Sequence, residues 1–251
     1  MQKAKIIVIA SAGITTNLLV ERLSARVNVS RVFLETAESK KTILKRRLKR
    51  LGIFKTIGQI MFMVLALPFI GDRKKRITAI LEAHKLNGKP IDEKLITHIN
   101  SVHDAGLTQL IIQEKPQLIF INGTRILKKT LLDQLTCPIV NIHVGITPKY
   151  RGVHGGYWAI RNNDLAHFGV TLHLVDSGID TGQIIAQQVI QPKKEDNFKT
   201  YPVLQYCVGL DLINENLDHL LMDEVKTVDA MTSESHLYYH PSFWGYLFGK
   251  K

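Results

Sequence analysis

The sequence predicts an α/β protein built on a doubly wound, mostly parallel sheet. Short apolar runs rich in β-branched residues, at residues 5–10 (KIIVIA) and 118–122 (LIFIN), are typical of strands buried on both faces of such a sheet. Segments with helical spacing, at residues 15–26 and 104–114, alternate with these runs. The chain has 251 residues, 45% of them hydrophobic, which suits one large domain with small additions.

The remaining elements continue this alternation along the chain. We expect strands at residues 27–34, 139–143, 169–175 and 184–190, and helices at residues 127–135, 155–161 and 204–221. The alternation predicts a main domain over residues 1–210, followed by a C-terminal helix and an aromatic tail over residues 211–251. We expect the tail to pack over the core or a subunit interface, with stacking on a substrate as the alternative.

Residues 38–76 interrupt the alternation and carry the net charge. The segment from Lys40 to Arg76 holds twelve Lys and Arg against one acid, Asp72, whereas the rest of the chain holds 21 residues of each sign. Confinement of the charge to one segment argues against a general nucleic-acid-binding face. Apolar residues recur with helical spacing through residues 38–55, and a mostly apolar run follows. We therefore expect a basic and apolar helical insertion.

The apolar run at residues 57–70 has two interpretations. A span needs about 20 apolar residues, so this run is too short to cross a bilayer. We favour a helix that buries the run against the core or against the partner in a homodimer. The alternative is peripheral contact of residues 40–76 with the inner face of a membrane, because a basic amphipathic stretch beside an apolar one can lie in the interface.

The cysteine content and the N-terminal residues indicate the cellular compartment of the protein. The chain has two cysteines, Cys137 and Cys207, which make a disulfide framework improbable, and it lacks the CxxC or Cys/His spacing of a metal site. The first ten residues read as a buried strand rather than as a secretory signal. We expect a cytoplasmic protein that needs no metal.

The clearest chemical pattern lies between Asn141 and Gly182. Asn141 and His143 are two residues apart on a predicted strand, so their side chains project to the same side, near the strand end where open α/β sheets bind ligands. An amide and an imidazole in this position suit stabilisation of a negative oxygen during acyl transfer. Asp180 follows the next strand in a glycine-flanked turn and could take a proton from an attacking amine. Each residue alone is more often structural.

This stretch resembles the folate-dependent formyltransferase family. The family pattern is Asn-x-His, a loop with Pro and then Gly, a strand with Gly-Val-Thr, and Asp before Gly. The matching segments are Asn141-Ile142-His143, Pro148 with Arg151-Gly152, Gly169-Val170-Thr171, Asp180-Thr181-Gly182 and the loop at residues 122–127. The resemblance implies a Rossmann-like formyltransferase domain over residues 1–210, 10-formyltetrahydrofolate as co-substrate, and catalysis by Asn141, His143 and Asp180.

The resemblance also implies binding residues. Family members hold the pterin ring of the carrier largely through main-chain groups of two loops, which here are Arg125, Ile126 and Leu127, and Asp176, Ser177, Gly178 and Ile179. The candidate acceptor-binding residues are Ser11, Gly13 and Thr15 at the start of the first helix, where an anion can bind, with Gly145, Arg151 and His154. Asp176 is a rival carboxylate that we expect to shape its turn, and His173 is expected to be a satisfied core histidine.

The resemblance leaves the amine acceptor open. Too few residues follow the matched region for the tRNA-gripping β-barrel of methionyl-tRNA formyltransferases, and residues 11–17 lack the Gly-rich phosphate loop of glycinamide ribonucleotide formyltransferases. By elimination we expect a small nucleotide-linked amino sugar, a place in polysaccharide biosynthesis, and no nucleic-acid partner. The alternatives are a glycinamide ribonucleotide formyltransferase, a hydrolase that releases formate from the same carrier, and a non-catalytic membrane- or polyanion-binding protein.

Overall fold

The chain is described by a computed structural model that covers residues 3–71, 73–222 and 225–248. Asp72 of the predicted insertion and the last three residues of the predicted tail lie outside the described residues. The strands are β1 (Lys5–Ser11), β2 (Asn28–Glu35), β3 (Ile96–Ile99), β4 (Leu118–Asn122), β5 (Ile139–His143), β6 (Arg151–Gly152), β7 (Gly169–Leu174), β8 (Ile184–Val189) and β9 (Leu237–Tyr238).

Seven of these strands form one sheet in the order β3-β2-β1-β4-β5-β7-β8. The strands from β3 to β5 are parallel, whereas β7 and β8 are antiparallel to their neighbours. The order reverses between β1 and β4, and a reversal of this kind opens a crevice beyond the carboxyl ends of parallel strands. β6 and β9 pair separately, in parallel.

The helices are α1 (Ile14–Ser24), α2 (Lys40–Met61), α3 (Lys74–Ala83), α4 (Ala105–Glu114), α5 (Lys129–Leu132), α6 (Gly155–Arg161), α7 (Tyr201–Leu220) and α8 (Phe243–Phe248). α2 continues into a π-helical turn (Phe62–Ala66) and a 3₁₀ turn (Leu67–Phe69). The predicted boundary at residue 210 falls inside α7, which is continuous and largely buried there, so it does not coincide with the end of an element.

Both faces of the sheet are covered, as the continuous apolar strands predict. Alternate β1 residues, Ile6 and Val8, belong to a buried cluster that includes α1 and α7. The intervening residues, Ile7 and Ile9, belong to a second cluster with α4 and α5. This layered arrangement confirms the predicted doubly wound α/β fold. The short strands β3, β6 and β9 and the helices α3 and α8 were not expected.

The predicted insertion is a helix that packs on the body of the protein along one side. Gln59 is 4% exposed, and its amide Nε2 donates to the carbonyl oxygen of His240 at 2.8 Å. The Phe62 ring centroid lies 5.0 Å from that of Tyr246. The other side remains exposed; Phe54, for example, is 87% exposed. The apolar run is therefore buried against the core along one side of the helix and exposed along the other, where the expected contact with a partner subunit stays a prediction.

The expectation that the run is too short to span is wrong. The helical segment Lys40–Phe69 contains an 18-residue window with a mean hydropathy of 1.7, of which 28% is buried. By length and composition alone it could cross a membrane. The prediction failed because it counted apolar residues only from residue 57, whereas Ile53 and Phe54 extend the apolar part of the same helix.

The aromatic tail packs over the body of the protein, as the first of the two expectations for it predicts. The Tyr238 ring stacks on Tyr150 with a centroid distance of 5.2 Å and on Trp158 with a distance of 5.1 Å. Trp158 also donates its indole N–H to the carbonyl oxygen of Tyr239 at 3.0 Å. The tail thereby covers the segment that joins β5 to α6.

Candidate active site

Asn141 lies on β5, directly opposite His173 on β7. Its amide Nδ2 is 3.2 Å from His173 Nε2, and His173 Nδ1 is 2.7 Å from the carbonyl oxygen of Leu174. A carbonyl oxygen only accepts, so Nδ1 of the neutral ring carries the proton and Nε2 accepts from Asn141. Burial lowers the pKa of His173, which keeps the ring neutral. His173 therefore orients the Asn141 amide, whose second N–H has no hydrogen-bond partner among the residues that the structure describes.

His143 is 5% exposed and is held at both ring nitrogens. Nε2 donates to the carbonyl oxygen of Tyr150 at 2.7 Å, and Nδ1 lies 3.4 Å from Oδ2 of Asp180. The loop beneath the ring has no room for a side chain at Gly145, because a Cβ there would lie 2.6 Å from the Tyr150 oxygen and 2.8 Å from His143 Nε2. This packing presents Nδ1, rather than Nε2, to the carboxylate.

Asp180 is fixed between the two histidines. Its Oδ2 accepts from the backbone N–H of Gly152 at 2.9 Å, and its Oδ1 lies 3.8 Å from His173 Nε2. Gly152 has a φ of 91°, and a Cβ at this position would lie 2.3 Å from the carbonyl oxygen of Tyr238. The pairing of β6 with β9 therefore holds the backbone amide that positions Asp180.

A cavity of about 310 Å³ joins these residues to the two predicted co-substrate loops. It is lined by Asn141, His143 and Asp180, and by six of the seven predicted loop residues, namely Arg125, Ile126, Leu127, Asp176, Gly178 and Ile179. Ser177 is not among the lining residues. The Asp176 carboxylate accepts from the Gly178 N–H at 3.0 Å and from the Thr181 hydroxyl at 2.8 Å, so it closes its turn as expected.

The side chain of Arg125 holds its loop rather than extending into solvent. Its guanidinium forms an ion pair with Glu35, which is 6% exposed, and donates to the carbonyl oxygen of Asn100 at 2.9 Å. The backbone N–H of Arg125 donates to the other Glu35 oxygen at 2.9 Å. Glu35, the last residue of β2, therefore holds the loop at residues 123–127 through a hydrogen bond and an ion pair.

A second cavity, of about 590 Å³, adjoins the first. Both are lined by residues 123–126, and the second is also lined by Ser11 and by Arg46 and Arg50 of α2. Arg46 is paired with Glu38 at 2.7 Å, whereas the guanidinium of Arg50 lies 5.0 Å from the Tyr239 ring centroid and, within the described residues, has no carboxylate partner. The basic side of this cavity comes from the insertion. The sequence showed that the insertion is basic but did not show that it borders this cavity.

The other predicted acceptor residues are not brought together. Thr15 accepts from the Asn122 amide at 3.0 Å, and Gly13 precedes α1. Arg151 donates to the carbonyl oxygen of Ile179 at 3.2 Å, so it supports the co-substrate loop. Of the six predicted acceptor residues, only Ser11 lines either of these two cavities.

His154 has a structural environment of its own. Its Nε2 is 3.0 Å from Nδ1 of His240, and its ring centroid is 4.4 Å from that of Phe198. Burial, with a smaller effect of His240, lowers the pKa of His154 to about 3. This ring is a neutral packing residue between the tail and the body.

His173 is the site residue that sequence reasoning assigned to the core. It is buried and hydrogen-bonded, as expected of a core histidine, but it also contacts Asn141 and lies beside Asp180. The missing signal was the antiparallel register, which sets residues 141 and 173 opposite each other. In the described part of the chain no group of three or more His, Cys, Asp and Glu side chains is arranged to hold a metal ion.

The fold and this site define an α/β protein with polar side chains gathered at the carboxyl ends of its parallel strands, and comparison with known proteins gives its family. The family model described as "Formyl transferase" matches residues 70–202, more than half of the chain, so the chain belongs to the formyltransferase family. The methionyl-tRNA formyltransferase of Pelobacter propionicus is 28% identical over 179 residues, covering 65% of this chain and 56% of the relative. The chain thus spans about half the length of this curated relative.

Solved structures agree on the fold. The phosphoribosylglycinamide formyltransferase from Streptococcus pneumoniae TIGR4 is 22% identical with a TM-score of 0.55, covering 88% of this chain and all of that one. A sugar N-formyltransferase from Shewanella sp. FDAARGOS_354 is 15% identical with a TM-score of 0.54, covering 92% of this chain and 75% of that one. At these identities the likeness concerns the fold alone.

Proposed function

We propose that this protein transfers a formyl group from 10-formyltetrahydrofolate to a primary amine. The observation that carries the proposal is the meeting of Asn141, His143 and Asp180 at one cavity bounded by the loops at 123–127 and 176–180. The family match supports formyl transfer as the reaction class. The fold alone would not, since one fold hosts many chemistries.

The 310 Å³ cavity fits the carrier's ring by its chemistry. Ile121, Leu127 and Val175 supply apolar surface, and the two loops supply backbone polar groups at its edge. A pocket that is mostly apolar with a few fixed polar groups is the usual form of a small-molecule site. When bound, the carrier supplies a formyl carbon open to attack by an amine.

Three side chains perform the proposed chemistry. The free N–H of Asn141 donates to the formyl oxygen as negative charge develops there, and a fixed donor in this role costs no reorganisation during the reaction. Asp180 takes the proton that the attacking amine loses, directly or through one water. The bond between the formyl carbon and N10 of the carrier then breaks, and N10 takes up the proton that Asp180 returns, so that the formylated amine and the unformylated carrier leave as products. Nε2 of His143 donates to the carbonyl oxygen of Tyr150, so Nδ1, 3.4 Å from Asp180 Oδ2, is placed to accept the proton that this carboxylate takes up.

We further propose a nucleotide-linked amino sugar as the acceptor. The second cavity shares residues 123–126 with the first, so a ligand there can present an amine to the formyl site. Arg50, which has no carboxylate partner within the described residues, suits phosphate oxygens, because a guanidinium group binds them through paired donors. The Ser11 hydroxyl, which donates to the carbonyl oxygen of Gly123 at 2.7 Å, lines the same cavity as Arg50.

An acceptor screen tests the proposal. Purified protein is incubated with 10-formyltetrahydrofolate and, separately, nucleotide-linked amino sugars, glycinamide ribonucleotide or methionyl-tRNA, and formylated product is measured by mass spectrometry. We expect product with an amino sugar, and a higher KM for it in Arg50→Gln than in the wild type. Formate release without any acceptor, at the rate seen with acceptor, would instead identify a hydrolase.

A further inference from the structure

Exposed apolar side chains are concentrated in two segments that pack together. In the described residues, half of the twenty exposed large apolar side chains belong to residues 53–69 and to α8. They are Ile53, Phe54, Ile57, Ile60, Val64, Leu65 and Phe69 of the insertion, and Trp244, Leu247 and Phe248 of α8. We call this set the apolar face. Exposed apolar surface of this extent on a soluble protein marks an interaction site.

Gly52, with a φ of 77° and a ψ of 172°, kinks the helix of the insertion, and the part after the kink turns polar side chains inward together with Phe62. Thr56 and Gln59 are 1% and 4% exposed, and a Cβ at Gly58 would lie 2.9 Å from that of Ser242 just before α8. Ile53, Ile57, Ile60 and Val64, spaced by four, three and four residues, form the outer stripe. A surface helix of a soluble protein normally has the opposite orientation, so this helix is suited to an apolar medium on its outer side.

The basic residues of the insertion indicate the charge of the surface that the outer side of the helix would contact. Lys41, Lys45 and Lys49 recur every four residues along the exposed side of α2, next to the exposed Leu44 and Leu48. Anionic lipid headgroups complement these lysines. A second copy of this chain would bring the same positive charges together, so charge complementarity favours a lipid surface over self-association.

We propose that the apolar face and the lysines of α2 dock the protein on an anionic lipid bilayer. The helix lies in the headgroup region rather than across the membrane, because its inner side is fixed to the body through Gln59 and Phe62. Arg46 and Arg50 project from the same helix into the second cavity, so docking brings that cavity to the lipid surface. The inference goes beyond formyl transfer and does not depend on it.

Vesicle co-sedimentation tests the docking. The whole chain is mixed with vesicles of phosphatidylcholine alone, or of equal parts phosphatidylcholine and phosphatidylglycerol, at low and high salt. We expect sedimentation with the anionic vesicles, weakened by salt, and a blue shift of tryptophan emission that is absent in Trp244→Phe. The triple variant K41Q/K45Q/K49Q should bind about 100-fold more weakly, since each lysine near the surface contributes roughly a fivefold factor.

Matched control variants distinguish binding through this surface from nonspecific binding to vesicles. K94Q/K115Q/K226Q removes the same charge from exposed positions elsewhere and should bind like the wild type. Phe54→Ser with Val64→Ser should reduce binding, whereas Ile112→Ser, at a residue 51% exposed on α4, should not. Circular dichroism confirms that each variant is folded.

Four results would overturn the proposal. The first is a protein that stays in the supernatant with both vesicle types. The second is sedimentation that the lysine and Phe54 variants leave unchanged. The third is a dimer that Phe54→Ser dissociates, with no vesicle binding, which would assign the apolar face to a second copy. Retention after an alkaline carbonate wash would equally contradict interfacial docking, because it indicates a span.

Discussion

Replacement of Asn141 by alanine isolates the proposed oxyanion donor. The amide has one N–H on His173 Nε2 at 3.2 Å and one N–H free for the substrate. Loss of a fixed oxyanion donor lowers kcat by about 100- to 1000-fold. Loss of the other contact leaves the buried Nε2 of His173 without a donor, which costs about 1–3 kcal/mol of the free energy of unfolding. We therefore expect both a kinetic and a stability effect.

A control variant at a second asparagine separates the effect on kcat from the effect on the free energy of unfolding. Asn216 on α7 is half-buried, and its amide donates to the carbonyl oxygen of Leu212 at 2.8 Å. Asn216→Ala removes the same atoms and should change stability with little change in kcat. Turnover is measured with the acceptor identified by the screen, and stability by urea unfolding. If Asn141→Ala kept kcat within about threefold of Asn216→Ala, the amide would not be the donor that oxyanion stabilisation requires.

Three further outcomes are expected. His143→Ala and Asp180→Ala should each lower kcat by at least about 100-fold in a folded protein, and near wild-type turnover in either would contradict the assigned roles. A reduced folate with an N10 substituent should bind equally with and without chelator in calorimetry. Burial lowers the pKa of His154 to about 3 and, with a smaller effect of Arg47, that of His240 to about 4, so both rings are neutral when folded. Histidines of the unfolded chain bind protons below about pH 6.5, whereas these two rings do not, so the free energy of unfolding should fall as the pH drops from about 6.5 towards 4. The fall should be less steep in His154→Gln. A free energy of unfolding that does not change with pH would show that these rings are not buried as described.

The sheet was predictable because its strands are buried on both faces. Continuous apolar runs at β1, β4 and β5 carry a signal that depends little on neighbours, and the observed bounds of β4 and β5 equal the predicted ones. β3 is only four residues long, and β6 and β9 form through pairing between segments about 85 residues apart. Such elements depend on tertiary contacts, which local patterns do not contain.

The site was predictable to the extent that it follows the strand ends. Asn141, His143 and Asp180 lie in order along one ungapped motif, and their proximity follows from the topology of the sheet. The positions of the predicted acceptor residues relative to the cavities could not be inferred in this way. Arg151 and His154 lie close to His143 in sequence, but their side chains are used by the Ile179 carbonyl and by His240. Nearness in sequence did not indicate which cavity each side chain faces.

The segments outside the matched region contribute to the site as a unit. The family match ends at residue 202, yet β9 beyond it fixes the Gly152 amide that holds Asp180. The helical part of the insertion up to residue 69, which lies before the match, is packed on this same tail through Gln59 and His240 and through Phe62 and Tyr246. A change in either segment is therefore transmitted to the other. Asn141, His143 and Asp180 lie within the matched region, whereas the basic side of the second cavity lies outside it. If the proposed roles hold, sequence changes in these two segments should alter the acceptor while the proposed formyl transfer stays the same.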